Sequence, residues 1–175
     1  GRTRMGPTIF GCQAPDTGNM ELIAHNGTDE QKAKYLEPLL SGEQHSAYSM
    51  TEPHAGEPGE FICSAARDGD EWVINGEKWF TSNGAAADFL IVMAVTSPDK
   101  PLLERASMFI VDRDTPGLEI VRNVHTLGTN LKENYKITGT GGHAYIRYNN
   151  VRVPASNLLG KEGSGFVGSQ TRLSG

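Results

Sequence analysis

The sequence predicts a mainly β fold, a closed barrel or a sandwich, with helices at both ends. Three observations predict it. Positions 16–42 follow a helical period in two segments, each with cap signals. From Ser46 the apolar residues switch to short β-branched and aromatic runs broken by turn residues, a pattern kept for about a hundred residues. After Pro154 the helix signals return. Many short strands with no helix between them must hide their apolar faces against one another, which is what a barrel or sandwich does.

In the first helix Asp16 or Thr17 supplies the cap, Met20, Ile23 and Ala24 the apolar stripe, and Gly27 the stop. A second helix follows at once. Thr28-Asp29-Glu30-Gln31 has the spacing of a capping box, Tyr35, Leu36, Leu39 and Leu40 form one apolar face, and Gly42 closes the helix. Strands are expected at 46–51, 61–66, 89–96, 107–112, 118–122 and 143–148. The run Trp72-Val73-Ile74-Asn75-Gly76-Glu77-Lys78-Trp79-Phe80 reads as a hairpin, Asn75-Gly76 supplying the two positive-φ residues of a type I′ turn. Val151-Arg152-Val153 reads as a strand after a further turn. Gly163-Ser164-Gly165 leads into a helix carrying Phe166, Val167, Gln170, Thr171 and Leu173, which looks cut short at Gly175. Met5, Ile9 and Phe10 have too little chain upstream to bury them, so the sequence reads as a piece of a longer protein.

With 37% hydrophobic and 21% charged residues in 175, the chain has enough apolar side chain to bury a core, which argues against disorder. A net charge of −5 and the lack of a Lys/Arg-rich run argue against nucleic acid or a membrane surface as partner. The longest apolar stretch, 89–95, is far too short to span a bilayer, and Gly1-Arg2-Thr3-Arg4 is not followed by a secretory apolar region. A soluble intracellular chain is expected, cytoplasmic in a bacterium, mitochondrial or peroxisomal in a eukaryote. Cys12 and Cys63 give neither a disulfide framework nor a zinc pattern and are expected as buried thiols. His25, His45, His54, His125 and His143 show no paired spacing, so no metal is expected. Gly139-Thr140-Gly141-Gly142 precedes a strand rather than a helix, which removes the geometry of a dinucleotide cradle, and 160–165 lacks P-loop spacing. Both read as turns.

Four stretches carry a family resemblance by their order. They are Ala47-Tyr48-Ser49-Met50-Thr51-Glu52-Pro53-His54-Ala55-Gly56, then Asn75-Gly76-Glu77-Lys78-Trp79-Phe80-Thr81-Ser82-Asn83-Gly84, then Asp114-Thr115-Pro116-Gly117-Leu118, and last Asn150-Val151-Arg152-Val153-Pro154 with Asn157-Leu158-Leu159-Gly160 and Glu162-Gly163-Ser164-Gly165-Phe166. Preceded by the helix pair, this succession resembles the acyl-CoA dehydrogenase family over nearly the whole chain. The resemblance implies the end of an N-terminal helical domain at 1–44, a β-barrel middle domain that binds FAD and acyl-CoA at 45–156, and the start of a C-terminal helical domain at 157–175. It further implies oxidation of an acyl-CoA to a trans-2-enoyl-CoA, by α-proton abstraction and β-hydride transfer to FAD. An electron-transfer flavoprotein would be the acceptor, and the enzyme a homodimer or homotetramer. Acyl-CoA oxidases and some flavin monooxygenases share the plan, and a cofactor-less β-rich binding module is a further alternative.

By the same resemblance, Tyr48, Met50 and Thr51 fall on the first flavin-binding strand, with the Thr51 hydroxyl suited to the mixed polar edge of the ring. The plain alternative is that Thr51 caps the turn into Glu52-Pro53. Phe80, Thr81 and Ser82 match the second flavin segment, an aromatic against the ring face and a hydroxyl near its N5. For Phe80 the alternative is core packing, and strand alternation puts Trp79 on the opposite face as packing. Gly56 is expected where backbone approaches a ligand or takes positive φ. Glu57-Pro58 departs from the family, which has a small hydroxyl residue followed by an acidic one there; Glu57 falls where members approach the cofactor, or else faces solvent. The stretch 130–142 is longer than usual and resembles a subfamily of larger members. Glu52 and Glu77 show no partner that would mark a general base. The catalytic carboxylate is expected beyond Gly175, so no catalytic residue is assigned and the isolated chain is expected to be inactive.

Overall fold

A computed structural model describes residues 6–126 and 142–170. The unusual length of 130–142, the 139–142 turn except Gly142, and Met5, Thr171 and Leu173 lie outside the described residues. Among the described residues five α-helices, α1 (Gly6–Ile9), α2 (Asp16–Asn26), α3 (Asp29–Gln31), α4 (Glu37–Ser41) and α5 (Gly165–Gln170), flank an eight-stranded sheet. Its strands are β1 (Ser46–Ser49), β2 (Ser64–Asp68), β3 (Glu71–Ser82), β4 (Phe89–Val95), β5 (Ala106–Asp112), β6 (Leu118–Asn123), β7 (His143–Pro154) and β8 (Leu158–Leu159).

The helix pair forms for the reasons its sequence states. Thr28 accepts from the Gln31 backbone and the Gln31 side chain accepts from the Thr28 backbone, a complete capping box. A π turn, Lys32–Leu36, joins α3 to α4, and Gly42 closes the segment at φ 78. That wider turn rotates the expected apolar face: Tyr35 and Leu39 are buried, whereas Leu40 stands 65% exposed. In α2 the capping residue is Pro15, with no side-chain cap. Asp16 is instead used between elements, accepting from Ser46 N (2.7 Å) and Ser46 Oγ (2.6 Å). The stripe also turns, with Leu22 and Ile23 buried and Ala24 exposed.

Strand order is β6-β7-β3-β2-β4-β5-β8, with β1 and the start of β2 both pairing parallel to β4. All seven residues of β4 are buried, because both sheet faces are covered. Leu90, Val92 and Ala94 enter a core with Trp72, Ile74, Phe109, Ile146 and Val151, while Phe89, Ile91 and Met93 meet Leu22, Ile23, Tyr35 and Leu39 of the helices. The mainly β expectation therefore holds, but the ladder is open. Among the described residues no pairing joins β6 to β8, because β8 is two residues long and makes only two pairs with β5. The sheet curls over its first core and does not close into a barrel.

The expected hairpin at Asn75-Gly76 is absent. Strand β3 runs straight through it for 12 residues, and β7 likewise runs through Asn149-Asn150 with no turn before Val151. The two irregularities face each other as a bulge: the register passes from Ile74↔Val151 to Gly76↔Tyr148, Asn150 takes φ 50, and Asn75 Oδ1 accepts from Asn150 N at 2.8 Å. Gly76 is required by proximity, since a Cβ there would stand 2.6 Å from Cys63 Cα. The chain actually reverses between β2 and β3 at Gly69, φ 61.

The two thiols differ, contrary to the expectation that both are buried: Cys63 is buried and Cys12 exposed. Burial pushes the Cys63 thiol up to about 11 from 9.0. Native protein at pH 8 is expected to react at one thiol with Ellman's reagent, the second reacting only in denaturant. Rapid release of two equivalents would contradict this packing.

Candidate functional site

The end of β1, the chain following it and the far half of β3 meet the helix ends at a cleft of about 410 Å³. Its lining includes Tyr48, Met50, Thr51, Trp79, Phe80 and Ser82 from the sheet side, Ala14 and Pro15 before α2, and Ser169 and Gln170 of α5.

A second bulge makes the aromatic wall. The β3–β7 register shifts between Lys78 and Thr81, and Phe80 takes φ 50, a conformation that a bulky side chain adopts only when its surroundings impose it. This resets the strand alternation, so Trp79 and Phe80 do not point to opposite faces. Their ring centroids lie 4.6 Å apart, both line the cleft, and Phe80 remains 43% exposed. Sequence alternation had assigned Trp79 to packing; the bulge is the physical reason it belongs to the cleft.

The other expected site residues separate clearly. Tyr48 reaches the Met108 sulfur with its hydroxyl at 3.8 Å, and Met50 packs against the helix-side core. Thr51 is exposed at the cleft, and its hydroxyl has no partner among the described residues. Thr81 is 1% exposed and turned inward, its Oγ1 3.3 Å from Ser49 Oγ, which also accepts the buried Tyr148 hydroxyl at 2.8 Å. Thr81 is not part of the cleft lining, and its carbonyl accepts from Gly84 N at 3.1 Å. Ser82 lines the cleft with its Oγ 2.9 Å from His143 Nδ1. Gly56 and Glu57 are exposed and lie outside the cleft lining. Gly56 has no positive φ; its N–H and that of Glu57 donate to Glu60 Oε2, at 2.8 and 3.3 Å.

Behind the wall stands a pair that the sequence did not reveal. Lys78 and Glu52 are 0% and 2% exposed and form a 2.8 Å ion pair. Lys78 Nζ also donates to the Met50 carbonyl at 2.7 Å and sits 4.4 Å from the Phe61 ring centroid. Glu52 accepts from the N–H groups of Ile62 (2.8 Å) and Cys63 (3.0 Å). With Trp79 N–H donating to the Thr51 carbonyl at 2.9 Å, both carbonyls of the Met50-Thr51 step are tied to β3. Glu52 thus has a partner after all, and a structural one. Glu77 also has one, Arg147, whose guanidinium lies 3.1 Å away on the surface; hydrogen bonds from Tyr145 and Arg147 hold the Glu77 carboxyl below its ordinary range.

A curled sheet thus presents the Trp79 and Phe80 rings, the Met50 thioether and hydroxyls that include those of Thr51 and Ser82 at one cleft. Residues 47–140 match the family model for the acyl-CoA dehydrogenase middle domain. The chain is 45% identical over 173 residues to a probable acyl-CoA dehydrogenase, FadE2, of Mycobacterium tuberculosis, covering 97% of this chain and 40% of that protein. Acyl-CoA dehydrogenase family member 11 of Homo sapiens is 41% identical over 178 residues, covering 99% of this chain and 22% of its own length. Butyryl-CoA dehydrogenase from Megasphaera elsdenii superposes with a TM-score of 0.78 at 33% identity, over 88% of this chain and 38% of that one. This chain belongs to the acyl-CoA dehydrogenase family, and it spans about a fifth to two fifths of the length of these relatives. Among the described residues no helix is long and apolar enough to cross a membrane.

Proposed function

We propose that the chain supplies the flavin-holding wall of an enzyme that oxidises an acyl-CoA to its trans-2-enoyl-CoA. The observation that carries the reading is the convergence of Tyr48, Met50, Thr51, Phe80 and Ser82, with Trp79, on one cleft. Its donor set fits an isoalloxazine: aromatic and thioether surface for the ring face, hydroxyls of Thr51 and Ser82 for an edge that both donates and accepts. FAD bound there would take the β-hydrogen of the thioester as hydride. The Phe80 and Trp79 rings exclude water from one side, and Thr51 and Ser82 set the orientation of the polar edge. Lys78, through the Met50 carbonyl, keeps the Thr51 segment at a fixed height.

In this reading 45–156 is the middle domain, flanked at 1–44 and 157–175 by parts of two helical domains. Beyond Gly175 the second of these brings the carboxylate that takes the α-proton. An electron-transfer flavoprotein would accept the electrons, the assembly a homodimer or homotetramer inside the cell. Glu57, on which a cofactor-less reading would rest, stands clear of the cleft lining and blocks nothing there.

FAD titration tests the reading. Protein freed of flavin is expected to bind FAD with quenching of flavin and Trp fluorescence, and Phe80→Ala to weaken binding about tenfold, the worth of one aromatic contact. No saturable binding, or an unchanged dissociation constant in Phe80→Ala, would remove flavin from this cleft.

A further inference from the structure

Ser82 and His143 are register partners at the end of the β3–β7 ladder, and the pair joins the cleft to a residue outside its lining. The imidazole is held by its backbone on both sides. The His143 carbonyl accepts from Val124 N at 2.6 Å, and the Gly142 carbonyl before it accepts from Asn83 N at 2.7 Å. Asn83 is itself buried, and its side chain donates to the Ser46 carbonyl at 3.1 Å. The ring therefore stands on a fixed frame, with Nδ1 2.9 Å from Ser82 Oγ.

A serine hydroxyl has one proton and two lone pairs, and an imidazole nitrogen is either a donor or an acceptor. If Nδ1 carries no proton, the Ser82 hydroxyl donates its hydrogen bond to the imidazole and shows only lone pairs to the cleft. If Nδ1 is protonated, it donates to Oγ, and the Ser82 proton is free to point at whatever lies in the cleft. No other side chain is recorded within hydrogen-bond reach of Ser82 Oγ among the described residues, so the imbalance falls to His143 alone.

We propose that His143 is a positioning residue for the cleft: it fixes the Ser82 rotamer and decides whether that hydroxyl donates to, or accepts from, the bound ring. The proposal rests on the reading that the cleft takes a flavin. His143 has no metal-like spacing in the sequence, and its partner Ser82 lies 61 residues away.

The test compares wild type, His143→Leu, His143→Asn, Ser82→Ala and the His143→Leu/Ser82→Ala double variant, each titrated with FAD and then taken through a redox titration. Circular dichroism first checks that each is folded. His143→Leu is expected to weaken FAD binding about fivefold and to shift the flavin absorption bands and midpoint potential in the same direction as Ser82→Ala. The double variant is expected to match Ser82→Ala alone, since His143 acts only through that hydroxyl. Asn, whose amide can take the place of Nδ1 as donor or acceptor, is expected to restore most of the spectrum and potential. In protein without flavin, Ser82→Ala is expected to move the Nδ1 nitrogen resonance of His143, which reads the pair itself. A flavin spectrum and potential unchanged in His143→Leu, or effects of His143→Leu and Ser82→Ala that add, would overturn the positioning role while leaving the flavin reading intact. Wild-type protein that binds no FAD would overturn the flavin reading, and the positioning role with it.

Discussion

Replacing Lys78 with Met is expected to lower stability by about 3–5 kcal/mol in a denaturant titration, the range for a buried ion pair that loses one partner. Met fills much the same volume, so the loss is not one of packing. It arises because Glu52, 2% exposed, is left buried with the Ile62 and Cys63 N–H groups as its remaining partners among the described residues. The Met50 carbonyl loses its ammonium donor at the same time. Adding Glu52→Gln to Lys78→Met is therefore expected to recover part of the stability, giving a coupling well above the error of a double-mutant cycle. Strict additivity of the two single losses would show that the groups do not act as a pair. FAD affinity is expected to fall along with stability in Lys78→Met, since the Thr51 segment is anchored through that ammonium.

Gly76→Ala is expected to be the second severe change, a loss of about 3 kcal/mol or failure to accumulate folded protein. At φ 143 the added methyl would stand 2.6 Å from Cys63 Cα, 2.7 Å from its Cβ and 2.9 Å from its sulfur. Two of those three atoms, Cα and Cβ, are present at position 63, just before β2, in any residue that carries a Cβ. Cys63→Ala in the Gly76→Ala background is thus expected to rescue little. Gly69→Ala provides the contrast: it shares a positive φ of 61 but meets nothing within 4 Å, so about 1 kcal/mol of backbone strain is expected. Equal effects at the two glycines, read from thermal or denaturant midpoints, would mean that backbone conformation, not the approach of Cys63, decides position 76.

Local signals were legible where one residue's neighbours in sequence are also its neighbours in space. The Thr28–Gln31 capping box, Gly42 as helix stop, and the strands at 89–95 and 106–112 are of this kind. The misreadings come from residues whose partner is remote. Asn75-Gly76 is as good a bulge as it is a turn, and only Asn150 on the opposite strand, 75 residues away, selects the bulge. Strand alternation correctly places residues until Phe80, where a positive φ resets it and brings Trp79 into the cleft. Lys78 on β3 and Glu52 in the chain after β1 lie 26 residues apart, so nothing in their spacing announces a pair. Of the residues that motif order pointed to, Tyr48, Met50, Thr51, Phe80 and Ser82 line one cleft; which side chains turn toward it, and that Thr81 turns away, needed the bulge and the burial of Ser49 and Tyr148.

The parallel seating of β1 on β4 bears on the order in which the chain can be assembled. The contacts that dock β1 span 43 residues, as in the bond from His45 N to Asp88, and the whole β2–β3 excursion lies between them. A chain emerging from its N-terminal end exposes Ala47 and Tyr48 well before Leu90 and Ile91, their register partners, exist. By contrast β4 and β5 follow one another and pair antiparallel along their full length. Closing the short loop first carries the smaller entropic cost, so the strand synthesised earliest waits for a hairpin made later to give it an edge. The cleft, whose wall continues directly from β1, is accordingly expected to take shape only after the β4–β5 hairpin has formed.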